Sequence, residues 1–217
     1  MSIKILKPGI CSTIQDLGRT GYRSMGVGPG GVMDFFAATT ANYLAGNDEH
    51  QPIIEMHFHA ASICFTTDTI ICIAGANFDA HINEVPIEIY QPVFVEKNAV
   101  LSFKKNISGA RVYLGVHNGM DVEKWLGSYS THLKIMAGGY KGRLLQKDDI
   151  ISINALSHHL NRKKIQISPA VLETLYNNQS AIKCIAGPQW LLLKTESKKK
   201  YFESYFYRQQ SFRQNGL

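Results

Sequence analysis

The stretch Ala61-Ser62-Ile63-Cys64-Phe65-Thr66-Thr67-Asp68-Thr69-Ile70-Ile71-Cys72-Ile73-Ala74 decides the fold class. It holds two runs rich in Ile, Phe, Thr and Cys, broken by the polar triplet Thr66-Thr67-Asp68. β-branched and aromatic side chains suit a pleated, half-buried surface, and a Thr/Asp cluster suits the turn between strands. Outward from it the same signature recurs at residues 3–6, 80–83, 87–90, 99–104, 111–116, 149–153 and 182–186. Gly, Asn, Asp and Pro separate these runs, and Lys147-Asp148-Asp149 reads as a tight turn feeding Ile150-Ile151. Short strands so punctuated predict a mainly β chain built as a sandwich or barrel.

One helix is clearly signalled. Asp34 can cap it, Phe36, Ala37, Thr40, Ala41 and Leu44 form one apolar stripe, and Gly46 is a natural left-handed terminator. A second short helix is expected over 121–126, closed by Gly127. Strands and helices do not alternate, which excludes a doubly wound sheet. The expected division is a β-barrel domain over 1–156, followed by a connector and the start of a second β subdomain over 157–217. Strands are expected there from Ile182 and over 201–206.

Composition narrows the class. The chain has 217 residues, 45% hydrophobic and 18% charged, so it has the length and the apolar content for a core rather than for disorder. No apolar run nears the roughly 20 residues that cross a bilayer, and Lys4, Lys7 and Pro8-Gly9 break any signal-peptide pattern at the N-terminus. Cys11, Cys64, Cys72 and Cys184 form no C-x-x-C pair; they read as reduced thiols of a cytoplasmic protein without a zinc site. Charge is uneven: residues 1–150 hold 13 Lys/Arg and 14 Asp/Glu, residues 151–217 hold 10 and 3. The basic surplus includes Lys198-Lys199-Lys200, read as a solvated turn, and lacks the aromatic-studded face of a nucleic-acid binder.

Four motifs carry candidate chemistry. Gly26, Gly28 and Gly31 fit G-x-G-x-x-G ahead of a helix, but a polar loop precedes them, so the dinucleotide reading fails and a loop for an anion remains. Glu55, His57 and His59 alternate on one strand face and offer a weak metal set, outweighed by an ordinary surface role. No G-x-S-x-G elbow supports Ser128 or Ser130 as nucleophiles; with Thr131 they instead offer hydroxyls to a ligand, or cap a turn. Arg19, Arg23 and Arg143 sit with Asp16 in glycine-rich segments, a pattern for bidentate recognition of an anion or for an Arg–Asp pair that pins a loop.

Several segments together resemble a known family. They are Gln15-Asp16-Leu17-Gly18-Arg19, Gly21-Tyr22-Arg23, Gly30-Gly31-Val32-Met33-Asp34, Glu55, Leu126-Gly127-Ser128, Ser130-Thr131, Gly138-Gly139, Gly142-Arg143 and Gly187-Pro188-Gln189. In order and spacing the chain resembles the biotin-dependent carboxyltransferase family, also called allophanate hydrolase subunit 2, which includes the C subunit of 5-oxoprolinase and KipA-like proteins. The resemblance implies a cyclophilin-like β-barrel with one or two short helices. It also implies a chain shortened on its C-terminal side, with the second β subdomain incomplete, because the Thr-Thr-Gly-Gly-Tyr-Pro segment of the family is absent. The activity implied is that of one component of an ATP-dependent 5-oxoprolinase, opening 5-oxoproline to glutamate beside a KipI-like B subunit and a LamB/YcsF-type A subunit. The alternatives are a carboxyltransferase of the urea amidolyase type, with biotin as carrier, and a non-catalytic KipA-like regulator.

For the small anionic substrate the expected contacts are Arg19 and Arg143 for charge, with Asp16 orienting Arg19 and Gln15 bonding an amide. Gly30, Gly31, Gly138 and Gly139 would give backbone donors, and Ser128, Ser130 and Thr131 hydroxyls. ATP is placed at the level of the complex. No metal, nucleic acid or membrane is expected.

Overall fold

Alternating buried and half-exposed residues make Ser2–Lys7 a strand (β1), with Ile3 and Ile5 fully buried. This computed structural model describes residues 1–154, 167–176 and 185–204. In chain order come β2 (Ser12–Gln15), α1 (Phe35–Leu44), β3 (Ile53–His57), β4 (Ser62–Phe65), β5 (Thr69–Asn77) and β6 (Ala80–Ile82). They are followed by β7 (Val85–Pro86), β8 (Pro92–Val95), β9 (Val100–Phe103), β10 (Ser108–Val116) and β11 (Ile150–Ser152). The strands pair in two antiparallel sheets, ordered β11-β1-β4-β9-β6-β7 and β2-β3-β10-β5-β8. The implied barrel thus takes the form of two open sheets over one core. Ile5, Phe65 and Leu101 from the first sheet pack with Ile54, Val112 and Leu114 from the second. The turn Thr66-Thr67-Asp68 carries the chain from one sheet to the other, since β4 and β5 lie in different sheets.

Helix α1 follows its sequence signals. The Asp34 carboxylate accepts from the Ala37 N–H at 3.0 Å, and Gly46 stands just beyond the C-cap with φ 81°. The helix covers β10 and β5 on the face turned away from the core, and Gly115 admits it: a Cβ there would lie 2.7 Å from the Ala41 carbonyl.

Other expectations differ. Residues 121–126 form no helix; Leu126 (φ 50°) and Gly127 (φ 77°) make a two-residue turn, with Trp125 and Ser128 bonded across it. Positive φ at both central residues reverses the chain and cannot continue a right-handed helix. Residues 87–90 form no strand.

The chain divides into two compact units, 1–167 and 168–217; the expected boundary at 156/157 lies outside the described residues. In the second unit the described elements are α2 (Pro169–Tyr176), a 3₁₀ turn (Pro188–Leu192) and α3 (Thr195–Glu203). The strand expected over 201–206 begins on α3 instead, and Lys198-Lys199-Lys200 lies on that helix rather than on a turn. Lysines favour a helix, and the Lys199–Glu203 pair at 3.9 Å supports it one turn on. Of the strand expected over 182–186, residues 182–184 lie outside the described residues. No described helix is long and apolar enough to cross a membrane.

Candidate functional site

At its last residue β2 leaves the sheet, and the next few residues organise the site. Gln15 is buried; its Nε2 donates to Thr13 Oγ1 at 3.0 Å and its Oε1 has no partner among the described residues. The Asp16 carboxylate, also buried, accepts four bonds: from the Gly18 N–H at 2.8 Å, Ser128 Oγ at 2.6 Å, Ser130 Oγ, and the Tyr129 N–H at 2.7 Å. Ser130 Oγ accepts from the Asp16 N–H at 3.1 Å, and Ser128 Oγ accepts from the Ser130 N–H at 3.0 Å. Thr131 bonds to the Ile14 carbonyl through both its N–H (3.0 Å) and its Oγ1 (2.8 Å). The hydroxyl protons of Ser128, Ser130 and Thr131 therefore clamp this loop to the end of β2.

That clamp holds Arg19. The residue is 3% exposed, and its Nη2 donates to the Ser130 carbonyl. Its Nε and Nη1 have no hydrogen-bond partner among the described residues. The Trp125 ring lies against the guanidinium, 4.7 Å from Cζ to the ring centre. Burial lowers the Arg19 pKa from its ordinary value while Asp16 opposes the shift; a guanidinium stays charged in either case. Asp16 spends its oxygens on hydroxyls and amides, so it leaves two buried Arg19 nitrogens without an acceptor among the described residues. Buried charge without full pairing is costly, and an arriving anion removes that cost.

The predicted glycines let the loops close at this point. A Cβ on Gly30 would stand 2.9 Å from Arg19 Nη1, and one on Gly138 would stand 3.3 Å from Nη2 and overlap the Ser130 carbonyl. At Gly139 a Cβ would overlap Thr131 Oγ1, and at Gly31 it would meet the Gly18 N at 3.0 Å. Segment 28–32 is tied beside Arg19 by two backbone bonds, Arg19 N–H to Pro29 O (2.7 Å) and Val32 N–H to Asp16 O (2.9 Å).

Arg143 is placed differently. It forks onto Asp149 with two bonds of 2.7 Å, donates to the Leu144 carbonyl at 2.8 Å and lies over the Tyr140 ring. The structure brings Asp16, Arg19, Gly30, Gly31, Ser128, Ser130, Thr131, Gly138 and Gly139 into one neighbourhood; the Gln15 amide turns back along β2 to Thr13, and Arg143 goes to the turn before β11. Glu55 and His57 share a face of β3, but Glu55 is committed to Tyr113 Oη (2.8 Å) and the Met33 N–H (2.9 Å). Burial and Arg111 lower the His57 pKa, Glu55 opposing. Among the described residues no group of three His, Cys, Asp or Glu side chains is placed to hold a metal ion.

Sequence reasoning missed Trp125 and Tyr113. The only signal for Trp125 is an aromatic residue one step before the Leu126-Gly127-Ser128 motif.

Comparison with known proteins gives a consistent picture. Residues 25–216 match the carboxyltransferase domain, subdomain A and B. The urea amidolyase of Saccharomyces cerevisiae is 41% identical over 151 residues, 69% of this chain and 8% of that protein. The C subunit of the Escherichia coli 5-oxoprolinase is 30% identical over 202 residues, 93% of this chain and 63% of that protein. A crystal structure of the urea amidolyase of K. lactis superposes with a TM-score of 0.69 at 35% identity, over 71% of this chain and 9% of that one. The chain spans less than two thirds of the length of these relatives.

Proposed function

For a chain that belongs to the carboxyltransferase domain family, we propose that it is the carboxylate-holding component of an ATP-dependent 5-oxoprolinase, acting with KipI-like and LamB/YcsF-type subunits. The observation that carries this reading is the buried Arg19, with N–H groups on Nε and Nη1 that no atom of the described residues satisfies. A carboxylate is the natural complement: it is singly charged and a strong acceptor of guanidinium N–H bonds. Gln15 Oε1, a buried acceptor with no partner among the described residues, is of the type that suits the lactam N–H of 5-oxoproline.

The chain's part is then positional. Arg19 fixes the carboxylate, the Trp125 ring shields the guanidinium from water, and the Asp16 clamp holds both before substrate arrives. ATP does not fit this donor set. One guanidinium beside the Asp16 carboxylate suits a single negative charge, and a triphosphate would bring several against that anion. ATP binding is therefore assigned to the partner subunits, and Arg143 to holding Asp149.

A second reading is a carboxyltransferase of the urea amidolyase type. It is favoured by the higher identity to that relative, 41% against 30%. Biotin fits the residues present to this extent: its ureido N–H would find Gln15 Oε1, and the transferred carboxylate Arg19. When bound, biotin supplies an activated carboxyl group.

Co-expression with both partner subunits and an assay of 5-oxoproline-dependent ADP release tests the first reading, with a full-length relative as control. Arg19→Ala is expected to lower turnover about 100-fold, as removal of a charge-assisted pair does. Full activity in Arg19→Ala would sink the assignment. Co-purification of the three proteins without ATP turnover, while the control turns over, would favour a KipA-like regulatory role instead.

A further inference from the structure

Two residues of the sheet accept hydrogen bonds from the backbone just after Gly30 and Gly31. Tyr113 is 0% exposed at the middle of β10, and Glu55 lies opposite it on β3 as its cross-strand partner. Tyr113 Oη accepts from the Asp34 N–H at 2.9 Å, and so gives its own proton to Glu55 Oε2 at 2.8 Å. The same Oε2 accepts from the Met33 N–H at 2.9 Å, while Glu55 Oε1 faces Arg111 Nε at 3.5 Å. Burial first, then the Glu55 charge, push the Tyr113 pKa upward, so the phenol keeps its proton. The donor–acceptor order of the network is thus fixed throughout. Its effect is to fasten two successive amides, Met33 and Asp34, to the middle of the sheet.

These amides form the downstream end of segment 30–34, whose upstream end holds Gly30 against Arg19 Nη1. Gly30 and Gly31 both have positive φ (62° and 94°), and glycine in this region is free to leave it unless its flanks are fixed. The upstream flank is tied at Pro29 by the Arg19 N–H; the downstream flank is tied at Val32 to Asp16 and, one and two residues on, at Met33 and Asp34 by Glu55 and Tyr113.

We propose that Tyr113 and Glu55 are positioning residues for the anion site, setting through the Met33 and Asp34 amides how Gly30 packs on Arg19 Nη1 and so how the guanidinium is presented to a carboxylate that displaces that cover. The inference rests on the reading of Arg19 as the carboxylate-binding residue.

The structure supplies a reporter. Trp125 lies 4.7 Å from the Arg19 guanidinium and is one of two tryptophans, so Trp190→Phe leaves it as the single indole. In that background the whole chain is titrated with 5-oxoproline by fluorescence, and amide hydrogen exchange is followed at residues 30–34. Tyr113→Phe is expected to weaken binding about tenfold and to speed exchange at Met33 and Asp34, with an unchanged circular dichroism spectrum. Glu55→Gln, which keeps the side-chain size and one acceptor oxygen, is expected to weaken it about threefold, and it serves as the test if Tyr113→Phe does not fold. Faster exchange without loss of affinity would make the pair merely structural, and loss of affinity with unchanged exchange would show that it does not act through the loop; either result overturns the proposal. Arg19→Lys separates the two readings. If it leaves binding intact, the carboxylate site itself is wrong. If it abolishes binding while Tyr113→Phe and Glu55→Gln do not weaken it, only the positioning role fails.

Discussion

Burial alone would push the Asp149 carboxyl up in pKa, yet the Arg143 fork and the Gln146 N–H at 2.7 Å outweigh it and hold the group below its ordinary value of 3.8. A depressed folded-state value stabilises the native state at neutral pH, and that contribution is lost as pH falls through the folded pKa. The window lies below about pH 4, from the unfolded aspartate value downward. Urea unfolding of the native chain and of Arg143→Met at pH 7, 5 and 3.5 checks this. The variant is expected to be less stable at pH 7, with the gap narrowing at 3.5; a gap independent of pH would show that the pair does not titrate as argued. In sequence Arg143 and Arg19 look alike, since each is a lone arginine among glycines. What separates them is the partner: Asp149 is free to pair with Arg143, whereas Asp16 is consumed by Ser128, Ser130 and two backbone amides. Residue type and spacing find Arg19, Asp16 and the hydroxyls, but they do not show that the hydroxyls point at Asp16. Nor do they show that Trp125 covers the guanidinium, because both are contacts between distant segments.

Among the elements, α1 was fully legible because its signals are local: a capping Asp34, a stripe at helical spacing, and a glycine for the left-handed exit. Gly46 carries more than conformational freedom. A Cβ there would stand 3.0 Å from Nδ1 of the buried His117, which bonds to the Ala45 carbonyl at 2.6 Å. Gly46→Ala is therefore expected to cost about 1–2 kcal/mol from left-handed strain alone, and more if the imidazole must move. A denaturant midpoint equal to the parent's would show that the helix exit relaxes freely. The strands read well where β-branched and apolar residues cluster, as in β1, β4, β5, β6, β9, β10 and β11, and poorly or not at all at β2, β3, β7 and β8. Every residue of β2 is buried, so it shows no alternation, and β8 opens with a proline. The run at 87–90 has strand-like residues but ends at Tyr90 with φ 61°, where the chain turns and Tyr90 Oη accepts from the Gly75 N–H. Alternation of apolar residues is not sufficient for a strand to pair, and β2 pairs as an edge without it.

In the first unit as a whole, the candidate site is assembled from segments near residues 16, 30, 128 and 138, joined only when the β2-β3-β10 side of one sheet is complete. Sequence could supply the parts and a family order for them; their convergence is a property of the topology. This convergence has a thermodynamic consequence, because a ligand that ties Arg19 binds the folded chain and not the unfolded one. At 100 times its dissociation constant such a ligand adds about 2.7 kcal/mol, which for a chain of this size raises the melting temperature by roughly 5–10 °C. Calorimetry with saturating 5-oxoproline is expected to show that rise. The same ring without its carboxylate, 2-pyrrolidinone, is expected to give none, because Gln15 Oε1 alone offers a single neutral hydrogen bond. Arg19→Ala is expected to melt at the same temperature with and without 5-oxoproline. Equal stabilisation by the two rings would mean that the lactam and not the charge is held, and the buried guanidinium would then need another partner.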